Sequence, residues 1–176
     1  MRWAISIGDM RRAEAAVSID APIEVVWSVL TDLAAYPAWD PFIASAEGGV
    51  AVGDPLTFGV RLASGRRLTL RATVARAVAP TRMGSALVAV LEYHLAGPLA
   101  SINAVRSRRR HTLRQGADGV TAYRVEEWFR GAAALGIPVG RVQAAFRAQA
   151  QALKERAEGL RHAERPAPQP APAPTA

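Results

Sequence analysis

The chain contains no cysteine. That absence removes disulfides, thiolate nucleophiles and Cys-based zinc or iron–sulfur sites, and it fits a reducing compartment. Histidine is scarce: there are three, and His94, His111 and His162 have no companions at metal-ligand spacing. No Gly-rich phosphate loop, G-x-S-x-G elbow or paired-carboxylate motif occurs. Neither metal nor cofactor is therefore expected, and no covalent nucleophile can be nominated. Aromatic residues make up only 6%, so aliphatic side chains must do most of the core filling. No uncharged stretch reaches membrane length. The opening MRWAISIGDMRR is broken by Ser6, Gly8 and Asp9 and is too short for a signal-peptide core. A cytoplasmic protein with no stable membrane insertion is the expectation, as a monomer or homodimer.

Half of the 176 residues are apolar, ample for one core at the usual size of roughly 100–200 residues per domain. The net charge is +7, with 22 Lys+Arg that are mostly arginine. Such a balance suits nucleic acid, a membrane surface or an acidic ligand. A GC-rich genome also raises Arg and Ala together, so charge alone decides little. From Arg165 onward the chain reads RPAPQPAPAPTA, which has no large apolar residue and cannot pack. The expected division is an N-terminal extension at 1–11, one folded unit at 12–162, and a disordered Pro/Ala-rich tail at 163–176.

Glu14–Asp20 alternates Ala15, Val17 and Ile19 on one face and predicts a strand. Asp20-Ala21-Pro22 opens a helix, with proline in the first turn and an acid near the positive end of the dipole. Val25, Val26, Val29, Leu30 and Leu33 recur at helical spacing, and Pro37 and Pro41 leave room for only a short helical turn after it. Strand patterns follow at 43–50, 55–62, 66–78, 86–95, 106–114 and 121–130. Ser64-Gly65 and Ala117-Asp118-Gly119 provide hairpin turns. After Gly136-Ile137-Pro138, the residues Val139, Val142, Phe146, Ala150, Leu153, Ala157 and Leu160 step by three and four over about six turns. A strongly bent antiparallel sheet wrapped around this long helix, an α+β domain, buries both apolar surfaces most economically.

The tract Ile19-Asp-Ala-Pro22-Ile-Glu-Val-Val-Trp27-Ser-Val-Leu-Thr-Asp32, followed by Tyr36-Pro-Ala-Trp39-Asp-Pro41-Phe42, resembles the START-like (SRPBCC) superfamily, in particular its bacterial polyketide cyclase/dehydrase-type members. Gly119–Gly131, with Glu127, Phe129 and Gly131, is similar to that family's penultimate strand and its exit into the long helix. The resemblance spans about residues 12–160. It implies a helix-grip (START/Bet v 1-like) fold, with seven antiparallel strands gripping the C-terminal helix around a cavity for a hydrophobic small molecule. Family members bind lipids, sterols, hormones and polyketides, and a minority are cyclases, dehydratases or hydrolases; the fold leaves the function open. By the same resemblance Tyr36, Trp39 and Phe42 stand at the cavity entrance. Phe58, Leu70, Leu91, Phe129 and Phe146 are the expected apolar lining. The chain departs from the family pattern at Leu91-Glu-Tyr93-His-Leu-Ala-Gly97 and at Arg109 preceding His111, which makes one side of the pocket more polar than a plain lipid carrier needs.

Alternation turns Arg109 and His111 inward with Leu113, and Tyr123, Val125, Glu127 and Phe129 inward on the next strand. His111 and Glu127 are then expected within reach of each other across the sheet. Two readings follow. In one, Glu127, His111, Tyr93 or Tyr123 exchange protons with a bound ketone or enol, as aldol-type cyclisation or dehydration requires. In the other, Glu127 pairs with His111 or Arg109, and Arg109 anchors a carboxylate or phenolate end of a ligand. A membrane-lipid or quinone carrier is a third alternative. The run Arg106–Arg110 sends about half its charge outward with no recognition helix beside it, and nucleic acid is not an expected partner.

Overall fold

The computed structural model describes residues 11–62, 65–96 and 105–164. Seven strands, β1 (Arg11–Ile19), β2 (Ile43–Gly48), β3 (Pro55–Arg61), β4 (Arg67–Met83), β5 (Ala86–Ala96), β6 (Arg106–Gln115) and β7 (Thr121–Arg130), form one sheet in the order β1-β7-β6-β5-β4-β3-β2. Every pairing is antiparallel. Helix α1 (Ile23–Thr31), a 3₁₀ turn at Leu33–Ala35 and the short α2 (Tyr36–Trp39) connect β1 to β2, and the long α3 (Val139–Glu164) follows β7.

Helix α1 buries Ile23, Val26, Val29 and Leu30, close to the expected stripe. Its start lies one residue after Pro22, whose carbonyl accepts from Val25 and Val26 N–H. Asp20 stands too far back to cap it. Its carboxylate instead pairs with Arg161 on α3, while its N–H donates to Glu158. Pro37 falls at the first turn of α2, where the missing N–H costs nothing.

Strand bounds depart from the sequence pattern where the backbone is irregular. β4 runs to Met83 rather than Val78, because register shifts at Val74/Arg76 and Val78/Thr81 interrupt the two-residue alternation that marks a strand. β2 ends at Gly48, two residues short of the expected Val50. There φ is 123°, and a Cβ would collide with the Pro55 carbonyl, so only glycine fits. Gly131, at φ 110°, lets β7 break into the 3₁₀ turn Ala132–Gly136 that delivers the chain to α3. Residue Arg11, assigned to the extension, belongs to β1, and α3 continues past 162 to Glu164. Residues 1–10 and 165–176, Ser64 of the first hairpin and Gly97 lie outside the described residues.

On α3 the buried apolar side chains are Phe146, Ala150, Leu153 and Ala157, flanked by the partly buried Val139, Val142 and Leu160, as the three-and-four spacing predicts. They join Ala13, Ile19, Val26, Leu113, Tyr123 and Val125 in one core cluster. A second cluster gathers Leu30, Leu33, Tyr36, Ile43, Leu56, Phe58, Val74 and Leu91, and Trp27 and Trp39 pack against both. Leu153 is fully buried in the first cluster. Leu153→Ala should cost about 2–5 kcal/mol, read as a lower urea midpoint at unchanged slope.

Candidate functional site

The inner face of the sheet carries its side chains in rows. Tyr93 on β5 lies opposite Arg109 on β6, and Arg109 opposite Glu127 on β7. One row further, Leu91 faces His111 and His111 faces Val125; beyond that come Ala89, Leu113 and Tyr123. All these residues point inward, as alternation requires. His111 and Glu127, expected to meet, are offset by one row. The partner of Glu127 is Arg109.

Arg109 donates to Glu127 Oε2 from Nε at 2.9 Å and from Nη2 at 2.7 Å, and Ser107 Oγ donates to Oε1. The Arg109 guanidinium also lies 4.7 Å from the centre of the Phe146 ring on α3. From Nη1 it donates to the Tyr93 hydroxyl at 3.4 Å. Beyond Tyr93 the polar chain continues inward. Tyr93 Oη is 3.3 Å from His111 Nε2, and His111 Nδ1 is 2.8 Å from the Tyr123 hydroxyl.

Burial acts strongly on this chain. It disfavours the charged imidazole of His111, and the nearby Arg109 cation adds to it, pushing the pKa down to about 3. His111 is therefore neutral at physiological pH. Burial also raises the Tyr93 and Tyr123 hydroxyls above their ordinary value. For Arg109 burial opposes the charge, but the Glu127 carboxylate and Tyr93 outweigh it, so the guanidinium stays charged.

Beside this polar wall lies a cavity of about 530 Å³. Phe42, Phe58, Val60, Leu70, Tyr93, Leu95, Val142 and Phe146 supply most of its surface, with Ser107, Arg109, Glu127 and Gln149 as its polar patch. The exposed Arg61, Leu62, Leu68, Arg71 and Arg141 form its rim. Of the expected site residues, Phe42, Phe58, Leu70, Tyr93, Arg109, Glu127 and Phe146 line it. Tyr36, Trp39, Leu91, Phe129, His111 and Tyr123 do not. Leu91, His111 and Tyr123 lie below the Arg109 row, in the core; Phe129 lies one row the other way, opposite Ser107, in the cluster that holds Phe146, while Tyr36 and Trp39 pack inward from α2. There Tyr36 donates to the Leu30 carbonyl at 2.8 Å and packs 4.7 Å from the Trp39 ring.

Three contributors escaped the sequence reading. Ser107 continues the Arg109–His111–Leu113 face, so period two already marked it. Gln149 sits three residues after Phe146 and four before Leu153, on the buried stripe of α3. It donates to Asp40 Oδ2, while Asp40 Oδ1 accepts from Phe42 N at 2.8 Å and Ile43 N at 3.1 Å. Asp40 thus ties the Trp39–Phe42 entrance segment to the long helix. On the outer face Arg108 stacks 4.5 Å from the Trp128 ring and Arg110 pairs with Glu92 at 2.6 Å. These contacts absorb part of the basic run. Among the described residues no group of three or more His, Asp or Glu side chains is gathered to hold a metal ion, and no helix is long and apolar enough to cross a membrane.

A seven-stranded antiparallel sheet gripping a long C-terminal helix beside an apolar cavity defines a helix-grip protein of the START/Bet v 1 type. Residues 10–158 match the family described as polyketide cyclase / dehydrase and lipid transport, and the chain belongs to that family. Among solved structures it is similar to a START superfamily protein from Mycobacterium smegmatis, at 20% identity and a TM-score of 0.60, covering 87% of this chain and 99% of that one. It is also similar to the Zhui aromatase/cyclase from Streptomyces sp. R1128, at 21% identity and a TM-score of 0.63, covering 85% and 94%. A norcoclaurine synthase point mutant from Thalictrum, in complex with a transition-state analogue, shares the fold at 15% identity and a TM-score of 0.59, covering 88% and 97%. No curated protein matches the chain.

Proposed function

We propose that the protein binds a hydrophobic small molecule, with its apolar body between β3, β4, β5 and α3 and its polar end against Arg109 and Tyr93. The observation that carries this reading is the asymmetry of the cavity, which has apolar walls and a single polar patch around Arg109. Ligand sites of this kind gain affinity from the apolar walls and orientation from a few polar groups. The family description, which includes lipid transport, supports the same class of ligand. On this reading the helix-grip domain, residues 11–164, works in the cytoplasm as a monomer or homodimer, without cofactor or metal.

The test uses 1-anilinonaphthalene-8-sulfonate, an aromatic anion of suitable size. Its fluorescence should rise on binding, and Leu70→Trp, which fills the cavity from a half-buried wall position, should weaken binding about tenfold or more with the fold intact. Equal binding by both proteins would refute the cavity as the site.

The convergence of Arg109, Tyr93 and Glu127 on one wall favours a second reading, cofactor-free cyclisation or dehydration of a polyketide-like ligand. That chemistry needs a proton donor to a carbonyl oxygen and a base for a C–H proton. On this reading Tyr93 is the donor. Glu127 serves as base only if it exchanges its three bonds from Arg109 and Ser107 for the substrate. His111 and Tyr123, sealed beneath, act through Tyr93 rather than on the ligand.

A further inference from the structure

The polar chain leading away from the cavity has a direction, and the direction follows from counting protons. Tyr123 is buried at 1% exposure, and its hydroxyl has no hydrogen-bond partner other than His111 Nδ1 among the described residues. A hydroxyl has one proton to donate and spare acceptor capacity, and a buried donor without an acceptor is the rarer and costlier defect. Tyr123 therefore donates to Nδ1. His111 is 2% exposed and neutral, so it carries one N–H and one lone pair. With Nδ1 accepting, the proton sits on Nε2, which donates to Tyr93 Oη at 3.3 Å.

Arg109 can only donate, and its Nη1 reaches the same oxygen at 3.4 Å. Tyr93 Oη thus receives two hydrogen bonds. Its own proton cannot return to Nε2–H or to the guanidinium, and no other acceptor meets it among the described residues. Tyr93 lines the cavity, and that is where its proton is free to go. The reverse polarity would have Tyr93 donate to Nε2 and Nδ1–H donate to Tyr123. It would strand the Tyr123 proton in the core.

We infer that Tyr93 is the donor by which the cavity reads its ligand, and that the ligand presents there an oxygen that accepts without donating, such as a ketone carbonyl or an ionised phenolate. His111 and Tyr123 are positioning residues that hold the Tyr93 proton outward. The two bonds entering Oη polarise the O–H and strengthen it as a donor, and the Arg109 charge alongside favours an electron-rich oxygen. The inference deepens the proposed function and rests on the cavity being an apolar ligand site.

Two measurements on the full chain test it. Nitrogen-15 NMR of the imidazole should show His111 as the Nε2–H tautomer at neutral pH, and an Nδ1–H tautomer overturns the inference. The second measurement compares 2-acetylnaphthalene, which accepts only, with 2-isopropylnaphthalene, its hydrocarbon counterpart. The wild-type protein should prefer the ketone roughly tenfold, as one neutral hydrogen bond provides, with the carbonyl infrared band of the bound ketone moved to lower wavenumber. In Tyr93→Phe the preference should fall to within about twofold and the band should return, while hydrocarbon affinity, the control for folding, is kept. A preference that persists in Tyr93→Phe, or equal binding of both probes to the wild type, overturns the role of Tyr93 and leaves the ligand site standing. Failure of both probes to bind overturns the reading of the cavity and this inference together.

Discussion

Glu127→Ala should lower the unfolding free energy by about 3 kcal/mol, the low end of the penalty for breaking a buried ion pair, because Arg109 borders a cavity rather than solid core. Glu127 is 6% exposed and is the acceptor for two Arg109 nitrogens and for Ser107. Removing it leaves a guanidinium in an apolar pocket beside Phe146 with only the Tyr93 oxygen to receive it. The partner's loss, more than the pair's own attraction, sets the size of the effect. Arg109→Met combined with Glu127→Leu should therefore recover most of the stability while weakening the binding of acidic ligands. Urea unfolding of the three proteins decides it: a single variant within about 1 kcal/mol of wild type would mean that the pair is solvated and worth no more than a surface bridge.

Acidification should destabilise the protein through His111. His111 has a folded pKa pushed down to about 3 against an ordinary 6.5. Between these values the unfolded chain binds a proton that the folded chain refuses, so the unfolding free energy rises with pH across the window and is flat from this group above it. The slope approaches about 1.4 kcal/mol per pH unit in the lower part of the window and is about half that at pH 6.5, so the loss from pH 6.5 to 4.5 is about 2 kcal/mol. Glu92 and Glu158, whose folded pKa values are lowered from 4.5, contribute stability that is lost only as pH falls through that lower range. His111→Gln should flatten the slope. A variant that keeps the wild-type slope between pH 6.5 and 4.5 would assign the pH dependence elsewhere.

The face that each of these residues occupies was legible beforehand. In Arg109, His111 and Leu113, and again in Tyr123, Val125, Glu127 and Phe129, two-residue alternation forces every second side chain to one side, and a leucine or valine in the series says which side is buried. What alternation cannot carry is register, because a slip of two residues leaves every side chain on the same face. The connection after Gln115 pairs it with Thr121, which brings Arg109 opposite Glu127 and His111 opposite Val125. A two-residue difference would have joined His111 to Glu127 and made an acid–base pair. The actual register makes an ion pair at the cavity and a neutral histidine below it.

The same distinction holds at the entrance. Tyr36, Trp39 and Phe42 are close in sequence and alike in character, yet only Phe42 lines the cavity. Asp40 separates their fates by tying its following backbone to Gln149 on α3, more than one hundred residues away in the chain. Local pattern holds no trace of such a contact.

Periodicity and punctuation were enough to establish the strands, the long helix with its stripe from Val139 to Leu160, and hence a bent sheet closed on a helix, since those apolar faces have no other economical way to leave water. The depth at which the sheet meets α1 and α3, the pairing of Arg109 with Glu127, and the run of hydrogen bonds from Tyr123 through His111 to Tyr93 were decided by tertiary structure alone. Each depends on which residues distant in sequence arrive at the same row, and a hydrogen bond has a direction only once all its neighbours are in place.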